Sequence, residues 1–533
     1  MRGKTLKVAV AATAIALFAT ACSSDGEDTT ENNNSGGTLR IYASEPAFLL
    51  PSAGDDEPSI LVIRQLYRGL VKYNAETGEP ENDLAESIES EDNKTWTVTL
   101  KDGYTFDNGE PVNADAFIRA WNYTAYGPNA QNNAYFMKRI VGIDEVSGEE
   151  PAAEELSGLA KVDELTFTVE LKEPFAGFPA IVGYSGFFPM AEACLEDTDA
   201  CNETPIGNGP YKIEGSWEHD QRIQLARSET WAGEEKGAAD VLDYKIYADV
   251  DAGYAAFQSG ELDVMYTIPP ARYQEAKQQY GDRMYEAPGD SFTYVGFPTY
   301  DERFADKRVR QAFSLAVDRQ GIIDAVFDGR FTPAEGVVAP TFDGYRPGVC
   351  EYCTQDVERA KELLEEAGGW DGEPLVLWAN AGAGHEQWLQ AVGDQLKAAL
   401  GIDYELKVNL QFPEYLATAD EKEFTGPFRL GWGPDYPVVE TYLYPLYGSG
   451  SDSNASGYNN PDFDALIAQG DAAADLEAAI PFYNQAEDLI VEDMPVIPMW
   501  FSKIAALYGE NVDEFHWNKI SDAEYGKITL KNS

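Results

Sequence analysis

The first 22 residues, MRGKTLKVAVAATAIALFATAC, decide where the rest of the chain folds. Arg2, Lys4 and Lys7 precede an apolar run, Val8 to Ala21, that ends in small residues. A basic start, a short apolar stretch and small residues before a cut are the marks of a secretory signal. The run is shorter than the roughly 20 residues a spanning helix needs. Cys22 follows Ala19-Thr20-Ala21, a pattern that resembles a bacterial lipobox with Ala19 where Leu is usual. Lipidation of Cys22 would make it the new N-terminus; an ordinary signal cut near Ala21 is the alternative. SSDGEDTTENNNSGG follows and contains nothing that can be buried, so 22–38 reads as a flexible tether. No later segment approaches a membrane-spanning length.

The body beyond the signal is about 512 residues, long enough for more than one domain. With 92 acidic against 39 basic residues the whole chain carries −53, and loss of the three leader cations takes the body to about −56. A surface of that sign repels nucleic acid and favours cations at long range. Solubility alone also accounts for it. Four cysteines remain after Cys22: Cys194 and Cys201 in ACLEDTDAC, Cys350 and Cys353 in VCEYCT. Outside the membrane an even number suggests disulfides, and local pairs 194–201 and 350–353 are expected among three possible connectivities. A zinc site lacks further ligands beside them, since none of His219, His385 and His516 is adjacent. A redox motif at Cys350–Cys353 stays open.

The hydrophobic pattern is mixed α/β, with strands and helices alternating most clearly after residue 290. TWTVTL (95–100) and LTFTVEL (165–171) alternate as half-buried strands, and LRIYAS (39–44) and EPLVLWAN (373–380) read as strands too. Helices are expected at 59–70, 114–123, 308–319, 356–369 and 460–470, the last opened by Asn460 and Pro461.

Catalytic patterns are scarce. GYSGF (183–187) lacks nucleophile-elbow spacing, GAGHEQ (382–387) is no phosphate loop, and H-E-x-x-H is missing. A two-carboxylate glycosidase needs only a pair of acids, and nothing marks one. No cofactor is expected, and no enzyme.

LYRGLVKYNAETGEPENDLAESIESEDNKTWTVTLKDGYTFDNGEPVNADAF (66–117), GNGPYKIEGSW (207–217), DKRVRQAFSLAVDRQGIIDAVFDG (306–329), YNNPDFDALI (458–467) and VEDMPVIPMWF (491–501) stand in an order that resembles the extracellular solute-binding proteins of family 5, the peptide and nickel receptors of ABC importers. GEEPAAEELSGLAKVDELTFTVEL (148–171) and the octet Arg429 to Tyr436, RLGWGPDY, resemble its oligopeptide-binding branch. The resemblance implies a two-lobed periplasmic-binding-protein-like fold, class II, with an extra α/β domain. Lobe I would combine 39–55, 185–290 and 489–533; the extra domain would be 56–184 and lobe II 291–488. Hinges would lie near Thr293-Tyr294-Val295 and before Val496.

The same resemblance implies that Asp435 pairs with a peptide's free α-amine; a turn cap is the structural alternative. Trp432 would pack on a ligand side chain, or be a core ring. Gly431 would admit the ligand backbone. Arg429 would reach the carboxylate of a short peptide, or be structural. Tyr135 would add a pocket aromatic, and Glu45 would line a pocket, although the usual Leu-Asp-Pro after it is Leu49-Leu50-Pro51. The implied protein is a lipid-anchored monomer on the outer face of the cell membrane, handing short peptides to permease subunits. A receptor for another cationic or metal-chelate solute, or a signalling or surface protein without transport, are the alternatives.

Overall fold

A computed structural model describes residues 36–370, 372–519 and 523–531. The signal segment, Cys22 and the tether up to Ser35 lie outside the described residues. The chain is mixed α/β, and its largest element is an eleven-stranded sheet. Two 13-residue strands, Met284–Gly296 and Val496–Tyr508, pair antiparallel at its centre. On one side follow Val264–Met265, Thr38–Ala43, Val241–Ile246, Arg222–Arg227 and Tyr211–Ile213; on the other, Phe428–Trp432, Leu375–Asn380 and Tyr404–Leu410; the eleventh strand, Thr332–Pro333, pairs off this path with Val496–Tyr508. The central pair therefore crosses from one half of the molecule to the other.

The ladder between these two strands is interrupted. Met284 to Pro288 pairs with Leu507 to Lys503, and pairing resumes only at Phe292, opposite Phe501. Pro288 has no N–H to give the ladder. A second irregularity lies between Thr293 and Tyr294, inside the stretch where a hinge was expected.

Each half has its own core. Leu39, Ile41, Leu242 and Val264 anchor one; Val295, Leu375, Leu377 and Trp388 anchor the other. A third core starts in a separate antiparallel sheet made of Ala85–Glu89, Thr95–Leu100, Thr166–Glu170 and Leu159–Lys161. Helix Ala114–Ala125 covers that sheet, its first turn capped by the Asn113 side chain, which accepts from Ala116 N–H. Phe117 and Trp121 meet Phe167 at ring separations of 5.8 and 5.7 Å. This core continues into Tyr436, Tyr442, Tyr447 and Phe463, so the inserted sheet packs against the segment that carries Asp435.

Two expected helices differ from the sequence reading. The helix expected at 59–70 is Glu57–Leu66; Leu66 O accepts from Asn208 and Gly209 N–H of the GNGP turn, and Tyr67 is extended. The helix expected at 308–319 is Lys307–Ala316, and the Asp318 side chain then caps a second helix, Arg319–Phe327, by accepting from Gly321 N–H. Two arginines of this stretch are buried and spend their donors mainly on carbonyls, Arg319 also on the Ser314 hydroxyl. Arg310 donates to Phe304, Ala305, Asp493 and Met494, and Arg319 to Cys353 and Pro498. They fasten the helices to the approach to the second crossing strand.

Cys194 is brought to Cys201 and Cys350 to Cys353, with Cα separations of 5.1 and 5.4 Å, within the span of a disulfide. Among the described residues no helix is long and apolar enough to cross a membrane.

Candidate solute-binding site

GWGPDYPVVETYLYPLYG (431–448) leaves the crossing-strand region as strand Phe428–Trp432, turns at Gly433-Pro434, and then winds into short helical turns at Val439–Tyr442 and Tyr444–Tyr447. Asp435 sits on the turn. It accepts from the Tyr135 hydroxyl at 2.5 Å, across 300 residues of sequence. It caps no helix N-terminus among the described residues. Its surroundings are phenolic: Tyr73, Tyr135, Tyr184 and Tyr436 all lie near enough for its charge to oppose their ionisation. Burial pushes the Asp435 carboxyl up to about 6, and the Asp55 charge adds to the rise, while the Tyr135 hydrogen bond opposes it.

Tyr135 reaches Asp435 because of local helix type. Asn132–Arg139 is an eight-residue 3-10 helix, in which residues three apart eclipse. Asn132, Tyr135 and Lys138 therefore form one ridge. Asn132 donates to Asp55 at 3.1 Å, Tyr135 to Asp435, and Lys138 to Asp452. On the next ridge Asn133 donates to Pro51 O at 2.7 Å, and Phe136 stacks within 4.1 Å of Tyr184. One short element thus ties loop 51–55 to the Asp435 turn.

Behind that turn lies a buried charge network absent from the sequence expectations. Arg139 donates to Glu440 at 2.8 Å and to Asp471 at 3.0 Å, with its guanidinium 3.9 Å over the Phe175 ring. Glu440 accepts from the Tyr436 hydroxyl and Asp471 from the Tyr483 hydroxyl, both at 2.8 Å. Glu440 is fully buried, and burial pushes its carboxyl pKa up while the Arg139 charge pulls it down. Tyr135, Trp432, Tyr436, Arg139 and Glu440 also line a cavity of about 670 Å³.

The remaining expected residues separate. Gly431 pairs with Thr293, and a Cβ there would stand 3.2 Å from Phe292 O and 3.3 Å from the Arg429 guanidinium. Arg429 is largely buried, its pKa lowered by that burial, and its guanidinium has no hydrogen-bond or ionic partner among the described residues. Its backbone carbonyl accepts from Tyr415 OH at 2.8 Å. Trp432 leaves its indole N–H without an acceptor. On its outer edge, strand Phe428–Trp432 pairs only at Phe428, with Trp378. Glu45 is not brought to this group. It accepts from His219 at 2.7 Å and from Asp220 N–H at 3.0 Å, and that bond raises the His219 pKa.

A half-buried carboxylate, a guanidinium without an ionic partner among the described residues and a largely unpaired strand edge now stand on one short segment. Residues 79–454 match the family described as bacterial extracellular solute-binding proteins, family 5 Middle. The chain belongs to that family. Among curated family 5 relatives, the oligopeptide-binding protein OppA of Bacillus subtilis is 28% identical over 493 residues, covering 89% of both chains. The periplasmic murein peptide-binding protein MppA of Escherichia coli is 28% identical over 478 residues, covering 87% of both. Among solved structures, the unliganded open form of the murein tripeptide-binding protein MppA superposes with a TM-score of 0.80 at 25% identity, covering 93% of this chain and 97% of that one. The two-lobed family 5 fold is therefore the fold of this chain.

Proposed function

We propose that this protein is the receptor of an ABC importer that captures short peptides in extended form and presents them to a membrane permease. The observation that carries this reading is the Asp435 site. An ammonium leaving water needs a fixed negative partner. Asp435 supplies one on a turn held by Tyr135, and Asp55 lies close enough to add a second negative charge. At the other end of the strand, Arg429 is a half-buried cation without an anion among the described residues, suited to a peptide carboxylate. Between them the edge of Leu430–Trp432 can take a peptide backbone as an added strand, which gives affinity without reading side chains. Gly431 keeps that approach narrow but passable, and Trp432 offers a flat ring and a free N–H.

Closure follows from the interrupted ladder at Pro288–Phe292, where the two halves share few backbone bonds and can bend about the crossing strands. In this reading 39–55, 185–290 and 489–533 move as one lobe against 291–488, with 56–184 as the inserted domain. Cys22 carries the lipid that holds the receptor at the membrane, and the two cysteine pairs close as disulfides. The receptor works as a monomer and uses no cofactor or catalysis; ligand is released unchanged.

Calorimetric titration with a tripeptide and its N-acetyl form tests this. The free amine is expected to bind at least tenfold more tightly, since a charge-assisted bond contributes about 1.5–3 kcal/mol. Equal affinities would remove Asp435 from the amine role, and no heat from either would remove the peptide reading.

A further inference from the structure

Asp435 is joined to the 3-10 helix Asn132–Arg139 directly, through Tyr135. The same helix makes a second attachment to the same loop. Arg139 holds Glu440, and Glu440 holds the hydroxyl of Tyr436, the residue next to Asp435. The loop from Asp435 to Glu440 is thus pinned at both ends to one element. Arg139 is itself fixed: Phe175 lies under its guanidinium, its second donor reaches Asp471, and its carbonyl accepts from Lys172 N–H.

Stability alone is a poor account of this network. Glu440 is fully buried and Asp471 nearly so, and a single guanidinium serves both. Desolvating three charges costs several kcal/mol per ion, and apolar residues of similar volume often do as well or better. What the network adds is geometry. A planar guanidinium with fixed donors sets the distance between two carboxylates, and Tyr436 then has one position for its ring. We propose that Arg139 is a positioning residue for the amine site: through Glu440 and Tyr436 it sets the place of Asp435 against Tyr135, so that selectivity for a free α-amine depends on the inserted sheet region being docked on the 435–471 segment. In this arrangement Arg139 acts on Asp435 through Glu440 and Tyr436, although it also lines the cavity beside them. The inference rests on the peptide reading above.

The test is the ratio of affinities for a free-amine tripeptide and its N-acetyl form, measured in the full-length receptor and in two variants. Arg139→Lys keeps the charge but loses the fork that spans Glu440 and Asp471. Tyr436→Phe keeps the buried ring and removes only its bond to Glu440, so it probes the same path with the ion pairs intact. Both variants are expected to fold, to bind the acetylated peptide within about twofold of the parent, and to lose roughly tenfold in affinity for the free amine, which is about 1.4 kcal/mol. Equal weakening of both peptides would make Arg139 a general closure or stability element and overturn the proposal. Unchanged ratios in both variants would overturn it too. If the parent itself shows no free-amine preference, the amine reading of Asp435 fails first, and this inference falls with it.

Discussion

Asp435→Asn separates what the carboxylate does for ligand from what it costs the empty protein. Asn is nearly isosteric, and its amide oxygen can still accept from Tyr135, so the change removes charge and little else. The Asp435 carboxyl rises from 3.8 to about 6, chiefly by burial. A rise of that size corresponds to about 3 kcal/mol of destabilisation once the group is ionised. The folded state holds the proton more tightly than the unfolded chain. This group's contribution is therefore fully present below about pH 4 and is lost as pH rises through about 6. The preference of the Tyr135 bond for an ionic acceptor is already contained in that net rise. The ligand-free variant should then be more stable than the parent by about 3 kcal/mol at pH 8. The difference should shrink steadily and vanish or reverse near pH 4. Urea unfolding of dialysed, ligand-free protein across that range reads it directly. A variant that is no more stable at pH 8, or a difference that does not change with pH, would refute the claim that Asp435 is held desolvated for a cation.

The same group sets a pH dependence of binding: affinity for a free-amine peptide should fall about tenfold between pH 7 and pH 5, as Asp435 protonates below about 6, while the N-acetyl form stays flat. Arg429→Met should weaken a short peptide with a free carboxylate at least about tenfold and its C-terminal amide much less, because it removes a buried cation that lacks an internal partner; equal losses would make Arg429 structural. Cys22→Ser should shift the protein from the membrane fraction to the culture medium, and retention in the membrane fraction would count against the lipid anchor.

Much of the fold was legible because it depends on local periodicity. TWTVTL alternates cleanly, and strand Thr95–Leu100 has those bounds. Asn460-Pro461 opens helix Pro461–Asp471, with the Asn460 side chain accepting from Asp462 and Phe463 N–H. Boundaries failed where a polar residue had two uses. Asp318 reads as an ordinary helical position, yet its carboxylate caps the helix that follows, so the expected helix ends at Ala316 and a new one starts at Arg319. The site was legible in part. Asp435, Trp432, Gly431 and Arg429 lie on one motif, and a motif survives in one dimension. Arg139 and Glu440 are 301 residues apart, and no local pattern brings them together. Glu440 did leave a trace, as the other acid in an aromatic stretch, 431–448, that otherwise excludes charge. The three-residue spacing of Asn132, Tyr135 and Lys138 was also present, but a 3-10 ridge has no strong hydrophobic signature. Glu45, named from its place in the family pattern, is hydrogen-bonded to His219, a partner no local pattern connects with it.

The most direct test of the peptide-receptor account is mass spectrometry of the small molecules released when freshly purified protein is denatured. The account expects short peptides with free N-termini, recovered intact and in mixed sequence. A sugar, a metal complex or a non-peptide cationic metabolite as the released species would leave the family 5 fold in place and contradict the peptide assignment.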